Sequence, residues 1–188
     1  MRSMRSGAVA LVALVSAACR GGEAPSPVDL DRRPERVIAA LGVRPGGRVA
    51  DVGAGRGYLT LRLADAVGPT GRVVATDIDD DALAALRARA PANVVVRKVA
   101  PDDPGLEPGA FDLILLSEVD QYLPDRVAFL VRVRAALAPG GRVAVTNRRP
   151  FRALVVDAAD RAGYMIVGEV TDLPSHFLVL LEPRGAKT

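Results

Sequence analysis

The amino-acid sequence predicts a single doubly wound α/β domain, and three observations lead to this fold class. Apolar stretches of strand length alternate with helical patterns between residues 48 and 162, which favours a mostly parallel sheet with helices on both faces. Two strand-like stretches then follow one another at the end of the chain, which predicts a hairpin with one antiparallel strand. The sequence shows no internal repeat and no sign of a second domain.

The helices are predicted from the spacing of apolar residues and from residues that begin or end a helix. Pro34 is tolerated in a first helical turn, and Gly42 follows the last apolar residue of that pattern. Acidic residues at 79–81 suit the start of one helix and Asp125 the start of another, because carboxylates cap the first turn. The predicted helices cover residues 33–41, 58–67, 80–90, 125–137 and 151–162.

The strands are predicted where short apolar stretches lie between turn residues. The stretch at 111–117 is apolar over almost its whole length, which indicates a strand buried on both faces of the sheet. A turn containing Pro174 joins the last two stretches. The predicted strands cover residues 48–52, 72–78, 94–99, 111–117, 142–147, 164–170 and 176–181.

The N-terminus has the pattern of a secretory signal. Arg2 and Arg5 precede a 12-residue apolar stretch, shorter than the roughly 20 residues of a membrane-spanning helix. Small residues then lead to Cys19, the only cysteine, in an arrangement that resembles the lipidation site of bacterial lipoproteins. We therefore expect residues 1–18 to be a signal peptide and Cys19 to be lipidated, giving a membrane-anchored lipoprotein. The alternative is a wrongly assigned start or a buried apolar helix with an incidental cysteine, which would leave the protein in the cytoplasm.

A short connection separates this predicted anchor from the domain. Residues 19–32 contain Gly, Pro and Ser without a hydrophobic period, which is typical of a flexible tether. The globular domain is then expected to cover residues 33–188, which is enough chain for one hydrophobic core.

A glycine-rich loop follows the first predicted strand, with the sequence Asp51-Val-Gly-Ala-Gly-Arg-Gly57-Tyr58. Glycines allow the backbone to turn sharply and to approach a ligand, while the N–H groups of the following helix point toward it. A dinucleotide-binding loop would require glycine at position 58, so Tyr58 disfavours a nicotinamide-dependent oxidoreductase.

Asp77 is the second candidate for ligand binding. It ends the second predicted strand, 20 residues after Gly57, which is about the spacing at which an acidic residue can accept hydrogen bonds from ribose hydroxyls. The alternative is that Asp77 caps the following helix, although residues 79–81 already provide acidic caps. We therefore favour the ribose role.

These segments together resemble those of class I S-adenosylmethionine (SAM)-dependent methyltransferases, especially the small quinone-methyltransferase-like type. The resemblance covers residues 48–147 and is implied by an ordered set of motifs: RVADVGAGRGY at 48–58, VATDID at 74–79, FDLILLSE at 111–118 and LAPGGRVAV at 137–145. It implies a Rossmann-like seven-stranded sheet whose last strand is antiparallel, and it implies SAM as the cofactor.

The resemblance also implies individual roles. Asp51 would contact the amino group of SAM, the loop glycines would line its methionine and ribose portions, and Ile78 would pack on adenine. Ala100 stands where the family often has an Asp for the adenine amino group, with Asp102 and Asp103 just beyond it. The cofactor-binding residues expected on this basis are Asp51, Gly53, Gly55, Gly57, Asp77, Ile78, Asp102, Ser117 and Glu118.

The acceptor side is less defined. Methyl transfer depends mainly on alignment and exclusion of water, so a general base is optional; Glu118, Asp120 and Tyr122 are the nearest candidates. His176, the only histidine, opens the last strand and is interpreted as an edge or loop residue without a chemical task. The arginines at 148, 149 and 152 could receive an acidic substrate group or could be a solvated helix start.

Composition excludes several other functions. Without Arg2 and Arg5 the chain has 23 basic and 22 acidic residues, so its charge gives no support for a nucleic-acid partner. The sequence contains no Cys/His cluster for zinc, no P-loop and no nucleophile elbow. We expect a methyltransferase with a small-molecule acceptor and no metal. The competing hypothesis is a non-catalytic lipoprotein of the same fold, because SAM is made in the cytosol and an exported domain would not meet it there.

Overall fold

A computed structural model of the protein describes residues 26–185, and it contains a mixed seven-stranded sheet with helices on both faces. The strands are β1 (Arg48–Val52), β2 (Arg72–Asp77), β3 (Val94–Lys98), β4 (Phe111–Ser117), β5 (Leu137–Arg148), β6 (Tyr164–Val170) and β7 (His176–Pro183). The helices are α1 (Pro27–Arg32), α2 (Pro34–Leu41), α3 (Thr60–Val67), α4 (Asp80–Arg87), α5 (Arg126–Arg134) and α6 (Arg152–Arg161), with short 3₁₀ turns at Asp120–Tyr122 and Arg149–Phe151.

The strand order is β3-β2-β1-β4-β5-β7-β6. Strands β1 to β5 pair in parallel, and β7 runs antiparallel to both of its neighbours. This confirms the predicted fold class, including the terminal hairpin. The chain winds outward from β1 in one direction and from β4 in the other, so the gap between the carboxyl ends of these two strands is the topological switch point, where ligands of such sheets bind.

Strand β4 shows how the core is built on both sides of the sheet. Its side chains alternate, so that Leu113 and Leu115 pack with α2 and α3, while Ile114 and Leu116 pack with α5 and α6. All four are almost completely buried, and burying one such side chain contributes about 1.5–3 kcal/mol. The apolar sequence at 111–117 thus forms the strand buried on both faces that was predicted from it, and the structure places this strand at the centre of the sheet.

The boundary between α5 and β5 differs from the prediction. The helix ends at Arg134 and the strand begins at Leu137, whereas we expected the helix to reach 137 and the strand to begin at 142. The reason is that Phe111 pairs with Leu137 before a register shift, so the Pro-Gly-Gly segment at 139–141 lies in an irregularity within the strand.

Helix α1 lies within the segment that was interpreted as a tether, so that interpretation does not hold for residues 27–32. Ser26 and Asp29 form a capping box that starts the helix, although none of its six residues is buried. Polar contacts attach it to the domain: the Tyr58 hydroxyl donates to Asp29 (2.8 Å) and the Ser175 hydroxyl donates to Asp31 (2.7 Å). The predicted signal peptide and Cys19 lie outside the described residues. Among the helices formed by residues 26–185, none has the length and apolar character needed to cross a membrane.

Candidate functional site

Two adjoining cavities lie at the carboxyl ends of the central strands. The first, the strand-end cavity, has a volume of about 380 Å³ and lies at the ends of β1, β2, β3 and β4. The second, the loop cavity, has a volume of about 260 Å³ and lies against the glycine-rich loop. Gly53 and Glu118 line both. Two further cavities, of about 470 and 530 Å³, lie at the opposite end of the sheet and contain none of the predicted site residues.

Two glycines of the loop differ in the space around their backbone. At Gly53 (φ 73°) an added Cβ would lie 2.4 Å from the Val119 side chain, so only glycine fits there. At Gly55 (φ 53°) an added Cβ would have no atom within 4 Å, although the residue lines the loop cavity. The space above Gly55 is therefore open to a ligand that approaches the backbone closely.

Asp77 braces this loop from the end of β2. One of its carboxylate oxygens accepts the Gly55 N–H at 2.7 Å, and the other accepts the Asp79 N–H at 3.0 Å. The helix-capping role belongs to Asp79, whose side chain accepts from two N–H groups at the start of α4. Asp77 and the half-exposed Ile78 both line the strand-end cavity. A carboxylate oxygen has more than one lone pair, so Asp77 can accept a ligand hydroxyl while it holds the loop.

Asp51 lies at the floor of the loop cavity and is almost completely buried. The Thr60 hydroxyl donates to its carboxylate at 2.6 Å. Burial raises the pKa of Asp51 to about 6, the Thr60 hydrogen bond opposes this increase, and the nearby Asp77 carboxylate adds to it. A ligand cation at this position would replace the lost hydration and favour the ionised carboxylate.

Glu118 occupies the junction of the two cavities. Its backbone has φ 55°, an unfavourable conformation for a residue with a side chain, and its N–H donates to the Thr146 carbonyl at 2.9 Å. The carboxylate is held on both sides, by the Arg32 guanidinium at 2.6 Å and by the His176 ring. Strain of this kind costs about 1–3 kcal/mol and persists where the surroundings fix it, often at functional sites.

The interpretation of His176 as an edge or loop residue is wrong. Strand β7 lies between β5 and β6, so His176 is 3% exposed and reaches Glu118 through Nε2. Its other ring nitrogen lies 2.8 Å from the Ser175 hydroxyl. A histidine at the start of a strand gives no sequence signal for this contact, because the position of β7 in the sheet depends on the whole topology.

Three further candidates differ in how they lie relative to the cavities. Asp120 lies outside both cavities, where it is buried and accepts hydrogen bonds from Asn147 and Arg126. Tyr122 lines the strand-end cavity but is 77% exposed. Asp102 points away from that cavity toward Arg132, with 68% of its side chain exposed. The neighbouring Asp103 lines the cavity instead, because the chain turns after β3.

The basic cluster after β5 is largely engaged within the protein. Arg149 donates to the carbonyls of Thr171 and Leu173, and Arg152 forms a two-pronged ion pair with Glu169 at 2.6 and 2.8 Å. These contacts join the loop before β7 and strand β6 to the start of α6, which favours the structural interpretation of the cluster.

The two cavities fit the two ends of SAM. The strand-end cavity is mostly apolar, which suits adenine, and its lining side chains include Ile78, Val99, Leu123 and Phe129. The loop cavity supplies carboxylates and backbone, which suits an amino-acid group. Asp77 lies beside the position that the ribose, between adenine and the amino-acid group, would occupy. The residues present are therefore compatible with the cofactor that the sequence indicates.

Comparisons with known proteins show similarity to methyltransferases in sequence and in fold. The model of the methyltransferase domain family matches residues 50–143, half of the chain. Nocamycin O-methyltransferase from Saccharothrix syringae is 34% identical over 119 residues, covering 61% of this chain and 42% of that protein. A ubiquinone/menaquinone biosynthesis C-methyltransferase from Cupriavidus taiwanensis is 36% identical over 111 residues, covering 57% and 46%. The chain thus spans less than half the length of these two relatives.

A solved structure extends the comparison to the whole fold. A SAM-dependent methyltransferase from Aquifex aeolicus superposes with a TM-score of 0.77, covering 84% of this chain and 93% of that one at 22% identity. At this identity the likeness shows the fold alone. The family match over half of the sequence shows more: this chain belongs to the methyltransferase domain family, and SAM is the cofactor that the family indicates.

Proposed function

We propose that the protein transfers a methyl group from SAM to a small-molecule acceptor. The observation that carries this proposal is the position of Asp77 and the glycine loop at the switch point of the sheet, between an apolar and a polar cavity. An apolar pocket, a carboxylate and a polar pocket follow one another in the same order as adenine, ribose and methionine in the cofactor.

The cofactor would be held by residues from both cavities. Ile78 would pack against adenine, Asp77 would accept the ribose hydroxyls, and Asp51 would receive the ammonium group. The N–H groups of the loop add hydrogen bonds at the positive end of the following helix. When bound, SAM supplies a methyl group that is activated by its positively charged sulfur.

The acceptor would reach the site beside Glu118, at the junction of the two cavities. The first task of the protein is to align the acceptor atom with the methyl group and to exclude water, which can lower the barrier by several kcal/mol. Glu118 can also accept the proton that a hydroxyl or acidic C–H acceptor loses. His176 is a positioning residue, because it holds one carboxylate oxygen in place from behind.

Calorimetry with S-adenosylhomocysteine (SAH) and the full-length chain tests the cofactor site without knowledge of the acceptor. We expect one binding site per chain. A folded chain that binds neither SAH nor SAM would overturn the proposal. Binding without turnover on any tested acceptor would instead favour the non-catalytic hypothesis.

The N-terminal sequence supports a second part of the proposal, a lipid anchor at Cys19. Pro27, the first residue of α1, follows Cys19 by eight residues, a stretch that spans at most about 28 Å. An acylated Cys19 would therefore keep the cavities near the bilayer surface, with about 0.8 kcal/mol of affinity per buried CH₂.

The anchor is tested by the fate of the native N-terminus. We expect the mature protein to sediment with membranes and the Cys19→Ser variant to be released or left unprocessed. Mass spectrometry that finds an intact Met1 or Met4 on a protein in the soluble fraction would contradict the anchor and leave a cytoplasmic enzyme.

A further inference from the structure

Arg32 is a residue of the site that no sequence motif indicated. It is the last residue of α1 and lines the loop cavity together with Asp51 and Gly55. Its Nη2 lies 2.6 Å from Glu118, and about a third of its side chain is exposed. A cation is thus held at the wall of a cavity whose other charged groups are mostly acidic.

The chemistry of the cofactor makes this cation informative. The amino-acid end of SAM carries an ammonium group, for which Asp51 is available, and a carboxylate, which an arginine binds well. Two arginines line the loop cavity, Arg32 and Arg56. Arg56 is exposed, whereas Arg32 is fixed by the contact with Glu118 and by the stacking described below.

Stacking on an aromatic ring fixes the orientation of Arg32. The Arg32 guanidinium carbon lies 5.2 Å from the centre of the Tyr58 ring, and that of Arg62 lies 4.7 Å from the same ring. The Tyr58 hydroxyl donates to Asp29, which ties the ring to α1. A glycine at position 58, as in dinucleotide-binding loops, would remove this support. Stacking of arginine on tyrosine contributes about 0.5–2 kcal/mol and limits side-chain motion.

We infer that Arg32 binds the carboxylate of the cofactor and so makes α1 part of the cofactor site. This inference rests on the proposed function. The contact with Glu118 uses one N–H of a guanidinium that has five, so Arg32 can bind a second carboxylate while it keeps the first. An arginine fork also matches a carboxylate better than a lysine does.

The test compares two ligands that differ only in the amino-acid end. SAH carries the carboxylate and the ammonium group, and 5′-methylthioadenosine lacks both. Calorimetry on the full-length chain compares wild type with Arg32→Gln, with Arg62→Gln as the matched control, since Arg62 stacks on the same ring but does not line either cavity. A thermal unfolding curve of each variant verifies folding.

We expect Arg32→Gln to weaken SAH binding by about 10- to 100-fold, the scale for losing a charged hydrogen bond, and to change methylthioadenosine binding by less than about two-fold. Arg62→Gln should change neither ligand by more than about three-fold, and Arg32→Lys should fall between Arg32→Gln and wild type.

An equal loss of both ligands in Arg32→Gln would overturn the assignment, because it would mean that Arg32 only supports the shape of the site. Unchanged SAH binding would overturn it as well. If wild type binds methylthioadenosine and SAH equally, no cation receives the carboxylate and the inference is wrong while the adenosine site remains. If wild type binds neither ligand, the proposed function itself falls and the assignment of Arg32 falls with it.

Discussion

The two halves of the site are built in different ways. The cofactor half comes from one continuous stretch of chain, the loop at 51–57, and from the end of the adjacent strand, with Asp77 bonded to Gly55 across 22 residues. The acceptor half is assembled from distant segments, because Glu118 meets His176 across 58 residues. Glu118 also contacts Arg32 across 86 residues, which joins this half to the carboxylate end of the cofactor site inferred above. Apart from Arg32, the cofactor half can therefore be predicted from local sequence, whereas the acceptor half depends on the order of strands in the sheet.

This comparison predicts that changes in the loop affect cofactor binding most. Gly55→Val places a branched side chain in the open space above the loop, and we expect SAH binding to fall below detection, by more than about 100-fold. The matched control is Gly109→Val, because Gly109 also has a positive φ (63°) and open space around its Cβ but lies outside both cavities. In both variants the left-handed backbone conformation lowers the free energy of unfolding by about 1–2 kcal/mol. Calorimetry showing equal SAH affinity in the two variants would refute the loop assignment.

The ionised Asp51 carboxylate is expected to lower the free energy of unfolding while it strengthens cofactor binding. Burial raises the pKa of Asp51 from 3.8 to about 6, so folding favours the protonated carboxyl group. The resulting gain in the free energy of unfolding is complete below about pH 4 and is lost as the pH rises through 6. Asp51→Asn should therefore be more stable than wild type at pH 8 by about 2–3 kcal/mol, while its SAH binding weakens.

Urea unfolding between pH 4.5 and 8 measures this difference, with the exposed Asp157→Asn as control. The free energy of unfolding of wild type should fall relative to Asp51→Asn as the pH rises. Parallel profiles for the two proteins would show that Asp51 is not destabilised by its burial.

The neighbouring residues Asp77 and Asp79 separate binding from stability. Asp77→Ala should weaken SAH binding by about 1–3 kcal/mol, because the ribose and the Gly55 N–H lose a charged acceptor, while α4 keeps its cap. Asp79→Ala should cost about 1 kcal/mol of stability through loss of that cap. Because Asp79 also lines the strand-end cavity, we expect some loss of SAH affinity, smaller than that of Asp77→Ala. Calorimetry and denaturation of both variants decide the matter. If Asp77→Ala lost stability and kept its affinity, the ribose role would be wrong.

His176 tests whether the two halves are separable. His176→Gln removes the buried partner of Glu118, and we expect a loss of about 1–2 kcal/mol in the free energy of unfolding. SAH affinity should change by less than about three-fold, because Arg32 still holds the other carboxylate oxygen. An affinity loss as large as that of Asp77→Ala would show that His176 belongs to the cofactor half.

The same division explains what the sequence could predict. Strands β1, β4 and β6 were placed to the residue, since their apolar stretches are bounded by turns and nothing in their environment overrides that pattern. The position of Asp77 beside the loop could be predicted because its distance from the loop is fixed by one strand-helix-strand unit. Helix α1 was missed, since it buries no side chain and depends on polar contacts with residues such as Tyr58 and Ser175. His176 was misjudged because its neighbours are set by β7 inserting between β5 and β6.

A crystal structure of the full-length chain with SAH tests the central claim most directly. The account predicts adenine in the strand-end cavity beside Ile78, the ribose hydroxyls within hydrogen-bonding distance of Asp77, and the amino-acid group in the loop cavity. SAH bound elsewhere, for example in the cavities at the opposite end of the sheet, or bound without contact to Asp77, would contradict it.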